Sequence, residues 1–357
     1  RSLVGSEMCI RDRHLLFLAA LLIVNLAASA QQKFSVYAVG FYNQENLFDT
    51  CHDEGKKDYE YLPNKGWNGM KYTNKLRNMS KALADMGTDV LPNVGCAFIG
   101  LSEVENHKVL DALVDQAPLK ARNMKYVHIE GPDRRGVDCA LLYNPSLFSV
   151  KNVKLLPYVQ ELAKDSAFFT RGFLTVRGEM AGDDVAVIVC HWPSRFSGPF
   201  YRESAARQVK VIKDSLLNVN QEMKIFVMGD MNDDPVNKSM HVYLQAKPEI
   251  SQVGAGDMYN PWYNVLSKEG KGTLFYSGNW NLFDQIVITP NLLNKDAKKK
   301  DYSSLKYWKS HIFRRDYLIQ QEGQYKGAPL RTTAGGRWLN GYSDHLPVVM
   351  YLVKEKK

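Results

Sequence analysis

Polar side chains with catalytic or metal-binding potential lie beside short apolar runs at several separate places in the sequence. The set combines carboxylates, carboxamides and imidazoles: Asn43, Glu45, Glu103, His191, Asp230, Asn232, Asp284, Asp344 and His345. In layered sheet proteins, the loops at strand ends gather into one site, so polar side chains at several strand ends can converge. The sequence therefore predicts one site assembled from distant segments.

These residue types suit one kind of chemistry. Carboxylate and amide oxygens are hard ligands that suit Mg²⁺, Mn²⁺ or Ca²⁺, whereas zinc sites more often use cysteine and closely spaced histidine. Two histidines can transfer protons near neutral pH. A divalent ion, a histidine base and a carboxylate that orients the base can together hydrolyse a phosphate ester.

The elements that must position these side chains are mostly strands. Seven apolar runs predict strands buried on at least one face, at 34–42, 96–101, 137–143, 185–190, 225–228, 283–289 and 348–353. Helical spacing of apolar residues predicts two helices within 72–86 and 205–216. Asp284 lies at the start of its predicted strand, which suits an antiparallel or mixed sheet. Residues 302–336 are polar and aromatic and are predicted to form a long surface excursion.

Length and composition limit the class of protein. The chain has 357 residues, of which 45% are hydrophobic and 24% charged, which excludes disordered and fibrous proteins. The length alone suggests two domains of about 150 residues. No repeat, linker or composition break divides residues 31–357, so one α/β domain is favoured. The net charge of +8 is compatible with an anionic partner such as nucleic acid.

The first 30 residues have the pattern of a secretory signal peptide. Arg11 and Arg13 precede an apolar run, and Ala28 and Ala30 supply the small residues of a cleavage site. A membrane anchor is the alternative, but the apolar run is shorter than the roughly 20 residues that span a bilayer. We therefore expect export to the periplasm or the medium. Without residues 1–30 the chain loses three basic and two acidic residues and keeps a net charge of +7. One disulfide is possible among its cysteines and none is required.

Six motifs carry a resemblance to a known family. They are 41–46 (FYNQEN), 101–105 (LSEVE), 190–195 (CHWPSR), 229–233 (GDMND), 283–286 (FDQI) and 341–347 (GYSDHLP). In this order the chain resembles the endonuclease/exonuclease/phosphatase superfamily, metal-dependent phosphoesterases that include pancreatic-type deoxyribonuclease, abasic-site endonuclease, neutral sphingomyelinase and inositol polyphosphate 5-phosphatase. The resemblance covers essentially all of residues 31–357. It implies a four-layered α/β/β/α sandwich in which two mixed sheets pack face to face.

The resemblance also implies which residues hold the metal, expected to be Mg²⁺ or Mn²⁺. Glu103 resembles the principal metal-binding carboxylate, and Asn43 resembles a second residue of the metal and phosphate site. Asp344 resembles a carboxylate on the metal side. Glu45 stands where some relatives carry an acidic neighbour of the metal.

Five further residues resemble the catalytic group. Asp230 and Asn232 resemble the pair that orients the nucleophile or the leaving oxygen. His345 resembles the histidine that activates water, and Asp284 the carboxylate that holds the tautomer of this histidine. His191 matches a second histidine of deoxyribonuclease-like members, where abasic-site enzymes have a tyrosine.

The sequence leaves the substrate open. Arg135 and Arg195 flank motifs and are candidates for binding a substrate phosphate. A nuclease acting on DNA or RNA is the first prediction, and a phosphodiesterase or phosphatase on phospholipid or small phosphorylated metabolites is the alternative. A non-catalytic binding protein of the same fold would be expected to have lost site residues. No stable protein partner is implied, and a monomer is expected.

Overall fold

The computed structural model describes residues 33–159, 161, 169–296 and 298–356. The predicted signal peptide at 1–30 lies outside these residues. In chain order the strands are β1 (Phe34–Leu47), β2 (Phe98–Val104), β3 (Lys125–His128), β4 (Asp138–Tyr143), β5 (Phe148–Leu156), β6 (Phe173–Met180), β7 (Asp183–His191), β8 (Lys224–Asp230), β9 (Ala246–Lys247), β10 (Met258–Tyr259), β11 (Leu274–Tyr276), β12 (Asn279–Asn281), β13 (Asp284–Ile288), β14 (Lys306–Ile312), β15 (Thr333–Ala334), β16 (Arg337–Trp338) and β17 (Val348–Glu355).

The strands form two large sheets. The first sheet has the order β14-β17-β1-β2-β4-β3, and the second sheet has the order β5-β6-β7-β8-β13-β10-β9. Both are mixed, since β1 pairs with β17 antiparallel and with β2 parallel, while β8 pairs with β7 parallel and with β13 antiparallel. Two small hairpins, β11-β12 and β15-β16, stand apart from the large sheets.

Helices cover the outer faces of the sheets. They are α1 (Gly69–Asp85), α2 (His107–Val114), α3 (Ala117–Ala121), α4 (Pro199–Val219) and α5 (Tyr263–Glu269). Asn68 caps α1 by accepting a hydrogen bond from the amide of Lys71, and Asn106 caps α2 in the same manner. None of the helices in the described ranges is long and apolar enough to cross a membrane.

Three apolar cores hold the layers together. The central core packs the inner faces of the two sheets against each other, with Phe41 and Phe98 on one side and Val187 and Phe226 on the other. A second core joins α1, α2 and α3 to the outer face of the first sheet, and a third joins α4 to the second sheet. The predicted four-layered α/β/β/α sandwich of two mixed sheets is confirmed.

Two sequence-based expectations about local structure need correction. All seven predicted strands are present, but residues 302–336 are more than a surface excursion, because β14 forms the edge of the first sheet within them. Strands β3, β5 and β6 were not predicted, since charged residues interrupt their apolar pattern. The cysteines in the described residues, Cys51, Cys96, Cys139 and Cys190, are all free thiols.

Candidate functional site

The second sheet places three site residues in one row across neighbouring strands. His191 is the register partner of Asp230 in the parallel pair β7 and β8. Asp230 is also the partner of Asp284 in the antiparallel pair β8 and β13. The row requires glycine at position 229, because a Cβ atom there would lie 2.2 Å from the carbonyl oxygen of Cys190. Regular strand pairing therefore brings together residues that are far apart in the sequence.

The first sheet presents its carboxylates through irregular backbone. The β1–β2 register shifts between Asn43 and Leu47, and the β2–β4 register shifts around Glu103. Glu45, Asn46 and Glu103 have φ angles of 45°, 57° and 59°, in the left-handed region that non-glycine residues rarely adopt. Such bulges re-aim side chains and occur often beside functional sites. Here the amide of Asn46 donates a hydrogen bond to Oε2 of Glu103 at 3.0 Å.

Two side-chain contacts join the two sheets at this end of the sandwich. Nδ2 of Asn43 donates to Oδ2 of Asp230 at 3.0 Å. Nδ1 of His345 lies 2.6 Å from Oδ2 of Asp284, while its Nε2 faces Oδ2 of Asp230 at 3.8 Å. Asp230, Asp284 and His345 are all buried. The structure thus brings together the predicted orienting carboxylate and the predicted catalytic histidine.

The loop that follows Asp230 keeps Asn232 at the site. Its amide donates to Oδ1 of Asp230 at 2.9 Å, and its Nδ2 donates to the carbonyl oxygen of Trp192 at 3.0 Å. Asn232 also has a positive φ of 49°. The backbone of Asn232 is therefore fixed to Asp230, and its side chain is fixed to Trp192, the residue after His191.

Sequence reasoning missed one arginine at the site. Nε of Arg331 lies 3.1 Å from Oε1 of Glu45, and its Nη2 lies 3.1 Å from Oδ2 of Asp344. The amide of Thr332 donates to the other oxygen of Glu45 at 2.6 Å. Gly341 lets the segment that carries Arg331 pack closely against the Asp344 segment, since a Cβ atom at position 341 would lie 2.2 Å from the carbonyl oxygen of Leu330. Both Glu45 oxygens are therefore engaged by the protein itself.

A buried lysine supports this side of the site. Nζ of Lys75, on α1, donates to Oγ1 of Thr332 and to the carbonyl oxygen of Tyr342. Burial lowers the pKa of Lys75 to about 8. A signal for it was present in the sequence, because Lys75 interrupts the apolar stripe that predicted the helix.

The two predicted arginines lie on different sides of the carboxylates. Nη2 of Arg135 is 3.6 Å from Oε1 of Glu103, and its guanidinium is half-exposed. Arg195 donates to the carbonyl oxygen of Asn232 at 3.2 Å and to Oδ2 of Asp234 at 2.7 Å, so it braces the loop that carries Asn232. Their role in substrate binding stays a prediction.

The two site histidines have opposite pKa shifts. Burial lowers the pKa of His191 well below its ordinary value, and the nearby guanidiniums of Arg171 and Arg135 lower it further. Burial also favours neutral His345, but the carboxylates of Asp284 and Asp230 outweigh it and raise the pKa of His345 well above its ordinary value. The surroundings therefore favour the neutral form of His191 and the protonated form of His345.

The pKa values of the site carboxylates are raised by burial. Burial brings the pKa of Asp230 to about 6, with the positive charge of His345 opposing the shift. Burial and the charge of Asp344 raise the pKa of Glu45 to about 7. The pKa of Asp344 is also raised by burial, against the pull of His345 and Arg331. A concentration of buried negative charge of this kind favours binding of a cation.

The donor atoms fit a hard divalent cation. Oε1 of Glu103 lies 3.6 Å from Nε2 of His191 and 3.6 Å from Nη2 of Arg135. Both distances are beyond ordinary hydrogen-bond length. The carboxylate of Asp344 and the amide oxygen of Asn43 add further hard oxygens. That Glu103, Asn43, Asp344 and Glu45 hold the metal stays a prediction. Oδ1 of Asn43 already accepts a hydrogen bond from the amide of Glu45 at 2.8 Å, and the oxygens of Glu45 contact Arg331 and Thr332.

A second group of potential metal ligands lies at the base of β4. Among the described residues, His128, Glu130 and Asp138 have ligand atoms within 4.8 Å of one another. Nε2 of His128 already lies 3.1 Å from Asp138, whose oxygens also accept hydrogen bonds from the amide of Gly131. This cluster therefore fixes the loop before β4.

One comparison with known proteins identifies a family. The profile of the Endonuclease/Exonuclease/phosphatase family matches residues 38–354. No curated protein sequence matches the chain.

Solved structures with the same fold have low sequence identity to this chain. A humanized TDP2 of D. rerio is 12% identical with a TM-score of 0.51, covering 89% of this chain and 98% of its own. A mannosyl-6-phosphatase of Bacteroides thetaiotaomicron VPI-5482 is 13% identical with a TM-score of 0.53, covering 88% and 99%. A D. rerio TDP2 complexed with single strand DNA product is 11% identical with a TM-score of 0.51, covering 89% and 99%.

Proposed function

The chain belongs to the endonuclease/exonuclease/phosphatase family, and on this premise we propose that it is a nuclease that hydrolyses phosphodiester bonds in DNA or RNA with Mg²⁺ or Mn²⁺. Members of this family are phosphoester hydrolases and generally depend on a divalent metal. The observation that supports the proposal most directly is His345, held by Asp284 at 2.6 Å with its Nε2 turned toward Asp230.

His345 and Asp230 manage the proton of the attacking water. At rest Nε2 of His345 carries a proton, and Oδ2 of Asp230 is an acceptor 3.8 Å away. For His345 to act as the base this proton must first leave Nε2, and Asp230 is the carboxylate that Nε2 faces. Nε2 is then free to accept a proton from water, while Asp284 keeps the imidazole oriented. A bound divalent cation would neutralise charge on the phosphoryl oxygens.

The remaining polar groups stabilise the phosphoryl oxygens and the leaving oxygen. His191 is neutral, and its Nε2 lies between Glu103 and Asp230 at 3.6 Å and 3.7 Å, so it can donate a hydrogen bond without adding charge. Asn43 and Asn232 have fixed amides on either side of Asp230. Preorganised donors of this kind stabilise developing charge at little reorganisation cost.

The guanidinium of Arg135 supports a phosphate substrate, while Arg195 and Arg331 add positive charge around the site although each already pairs with protein carboxylates. Arg135, Arg195 and Arg331 approach the site from different segments, with side chains 48%, 42% and 39% exposed. Guanidinium groups bind phosphate oxygens through two parallel hydrogen bonds. The net charge of +7 that remains without residues 1–30 acts in the same direction over a longer range.

A substrate panel tests this proposal. Residues 31–357 would be incubated in one buffer with plasmid DNA, single-stranded oligonucleotides, RNA, sphingomyelin, a phosphoinositide and mannose 6-phosphate, each with Mg²⁺, Mn²⁺, Ca²⁺ or chelator. We expect metal-dependent cleavage of nucleic acid that His345→Ala abolishes. His107→Ala, an exposed histidine on α2, is the matched control. Release of phosphate from mannose 6-phosphate or lipid alone would overturn the nuclease assignment.

Export is part of the same proposal. The basic residues, apolar run and small residues of 1–30 support cleavage after Ala30. Expression of the full chain in a bacterium, followed by N-terminal sequencing of the periplasmic protein, should give Gln31 as the first residue. An uncleaved protein in the cytoplasmic fraction would contradict this expectation.

A further inference from the structure

A cavity of about 770 Å³ opens directly beside the site. Arg331 and Asp344 form its inner wall. Asp344 is one side chain away from the reaction centre, since its Oδ1 lies 3.9 Å from Nε2 of His345. The volume falls within the range of pockets that enclose a small organic ligand. A substrate whose phosphate lies at His345 therefore has room for its neighbouring group in this cavity.

The hairpin β11-β12 forms one wall and is tied to the catalytic histidine. Leu274 of β11 pairs with His345 as an isolated antiparallel bridge, and the amide of Leu346 donates to the carbonyl oxygen of Thr273 at 2.8 Å. Tyr276, at the end of β11, faces the cavity with 68% of its surface exposed. The wall and the reaction centre are thus fixed to each other through backbone hydrogen bonds.

Residues 318–335 form the other wall. Their backbone bonds to itself, from Gln320 to Ala328 and from Leu330 to Leu318, each at 2.8 Å. Tyr325 and Gln324 line the cavity from this segment, and Tyr325 is 53% exposed. Arg331 then fixes the end of the segment to Glu45 and Asp344.

We propose that this cavity binds one unpaired nucleobase next to the reacting phosphate, an inference that rests on the proposed nuclease function. The lining combines two exposed tyrosine rings with amide and hydroxyl groups, and Asp344 is its one carboxylate. Aromatic rings stack on the flat face of any base, and amides bond to the edge of the base. A base inside a duplex is stacked and paired, so it must leave the helix to enter. Single-stranded nucleic acid is therefore the preferred substrate.

The test compares tyrosine variants on matched oligonucleotides. Tyr325→Ala and Tyr276→Ala remove the two rings, and Tyr302→Ala removes a tyrosine that packs on Phe34 at the far end of the first sheet. Each protein is tested on a short single-stranded DNA, on its duplex, and on a single strand with one abasic nucleotide at the main cleavage position. Circular dichroism checks that each variant is folded.

We expect the unaltered chain to cleave the single strand at least about tenfold faster than the duplex, in line with stacking contributions to single-strand binding. Tyr325→Ala should lower kcat/KM on the intact strand about tenfold and have little further effect on the abasic strand, because the ring and the base act as a pair. Binding of a fluorescent oligonucleotide in chelator should weaken in parallel, while Tyr302→Ala changes neither quantity.

Four results would overturn the inference. Equal cleavage of single strand and duplex would exclude an unpaired base in the cavity. Equal losses for Tyr325→Ala on intact and abasic strands would show that the ring does not contact the base. Cleavage of nucleic acid unaffected by both tyrosine variants would reject the cavity while leaving the nuclease function intact. A chain that hydrolyses only mannose 6-phosphate and loses that activity in Tyr325→Ala would reject both proposals in favour of a sugar ring.

Discussion

The two sheets contribute to the site in different ways. The second sheet holds His191, Asp230 and Asp284 in a straight row set by regular strand pairing. The first sheet presents Glu45 and Glu103 from bulges with positive φ angles, each of which costs on the order of 1 kcal/mol for a non-glycine residue. In the proposed mechanism, the row supplies the groups that move protons, and the bulges supply the groups placed to meet a cation and the substrate.

The two sheets, which form the regular and the bulged half of the site, hold their site residues in position by different means. Residues in a continuous ladder inherit their positions from the core, since the strands on which they lie are buried on both faces. Residues in bulges need additional contacts to stay in place. Glu45 has Arg331 and Thr332, and Glu103 has the amide of Asn46. Substitutions in the regular row and in the bulges should therefore have different effects on activity.

The largest effect is expected where the two halves meet. Asp284→Asn should reduce kcat by about 10³-fold, within the range for loss of a positioned general base, because the amide no longer fixes the tautomer of His345. Steady-state kinetics on the preferred substrate measures this loss. Asp115→Asn, which removes an exposed ion pair with Lys120, is the matched control. Retention of more than a tenth of the activity would show that Asp284 does not orient the base.

Loss of charge in the bulged half should change the metal dependence. Glu103→Gln keeps the shape of the side chain but should lower activity about 100-fold and raise the Mg²⁺ concentration needed for half-maximal rate. Titration of Mg²⁺ and Mn²⁺ against the rate separates the two effects. Glu222→Gln, whose side chain is 87% exposed, should behave as the unaltered chain does. An unchanged metal requirement would remove Glu103 from the metal site.

A smaller effect is expected from the arginine that bridges Glu45 and Asp344. Arg331→Lys keeps the charge but cannot reach both carboxylates in the same planar geometry, so we expect about a tenfold rise in KM with a smaller change in kcat. The control is Arg207→Lys on α4, which alters the ion pair between Arg207 and Glu161. A fall in kcat of the same size with no change in KM would show instead that Arg331 acts in the chemical step.

The smallest effect concerns strain far from the site. Ala181 has a φ of 55° in the turn between β6 and β7, where Asn before Gly182 is favoured. Ala181→Asn should stabilise the fold by about 0.5–1 kcal/mol and raise Tm by about 1–2 °C, with no change in rate. Thermal unfolding followed by circular dichroism measures the shift. A loss of activity would mean that strain is coupled across the sandwich.

The regular half of the site could be predicted from the sequence better than the bulged half. Asp284 was identified from the resemblance of its motif, and its position at the start of a strand predicted the antiparallel or mixed pairing that β8 provides. Arg331 gave no such signal, because its partner Glu45 is 286 residues away and its own segment has no period. Positive φ angles at Glu45 and Glu103 depend on the neighbouring strands, so sequence pattern does not reveal them.

The strands of the fold also differed in how well the sequence predicted them. Strands buried on both faces, such as β8, were visible as apolar runs, whereas β5 has a largely exposed face and was missed. The four-layered arrangement came from the resemblance rather than from periodicity. The cavity between the hairpin β11-β12 and residues 318–335 could not be predicted, because no pattern links those two segments.

The pairing of β1 with β17 also has a consequence for biosynthesis. Phe34 is the register partner of Glu355, so β1 can pair with β17 only after β17 has been made. His345 leaves the ribosome only just before that final strand. Folds dominated by such distant contacts form slowly, and partly made chains expose unpaired edges. The segments that carry Asn43 and His345 can therefore meet at one site only after His345 and β17 have been made.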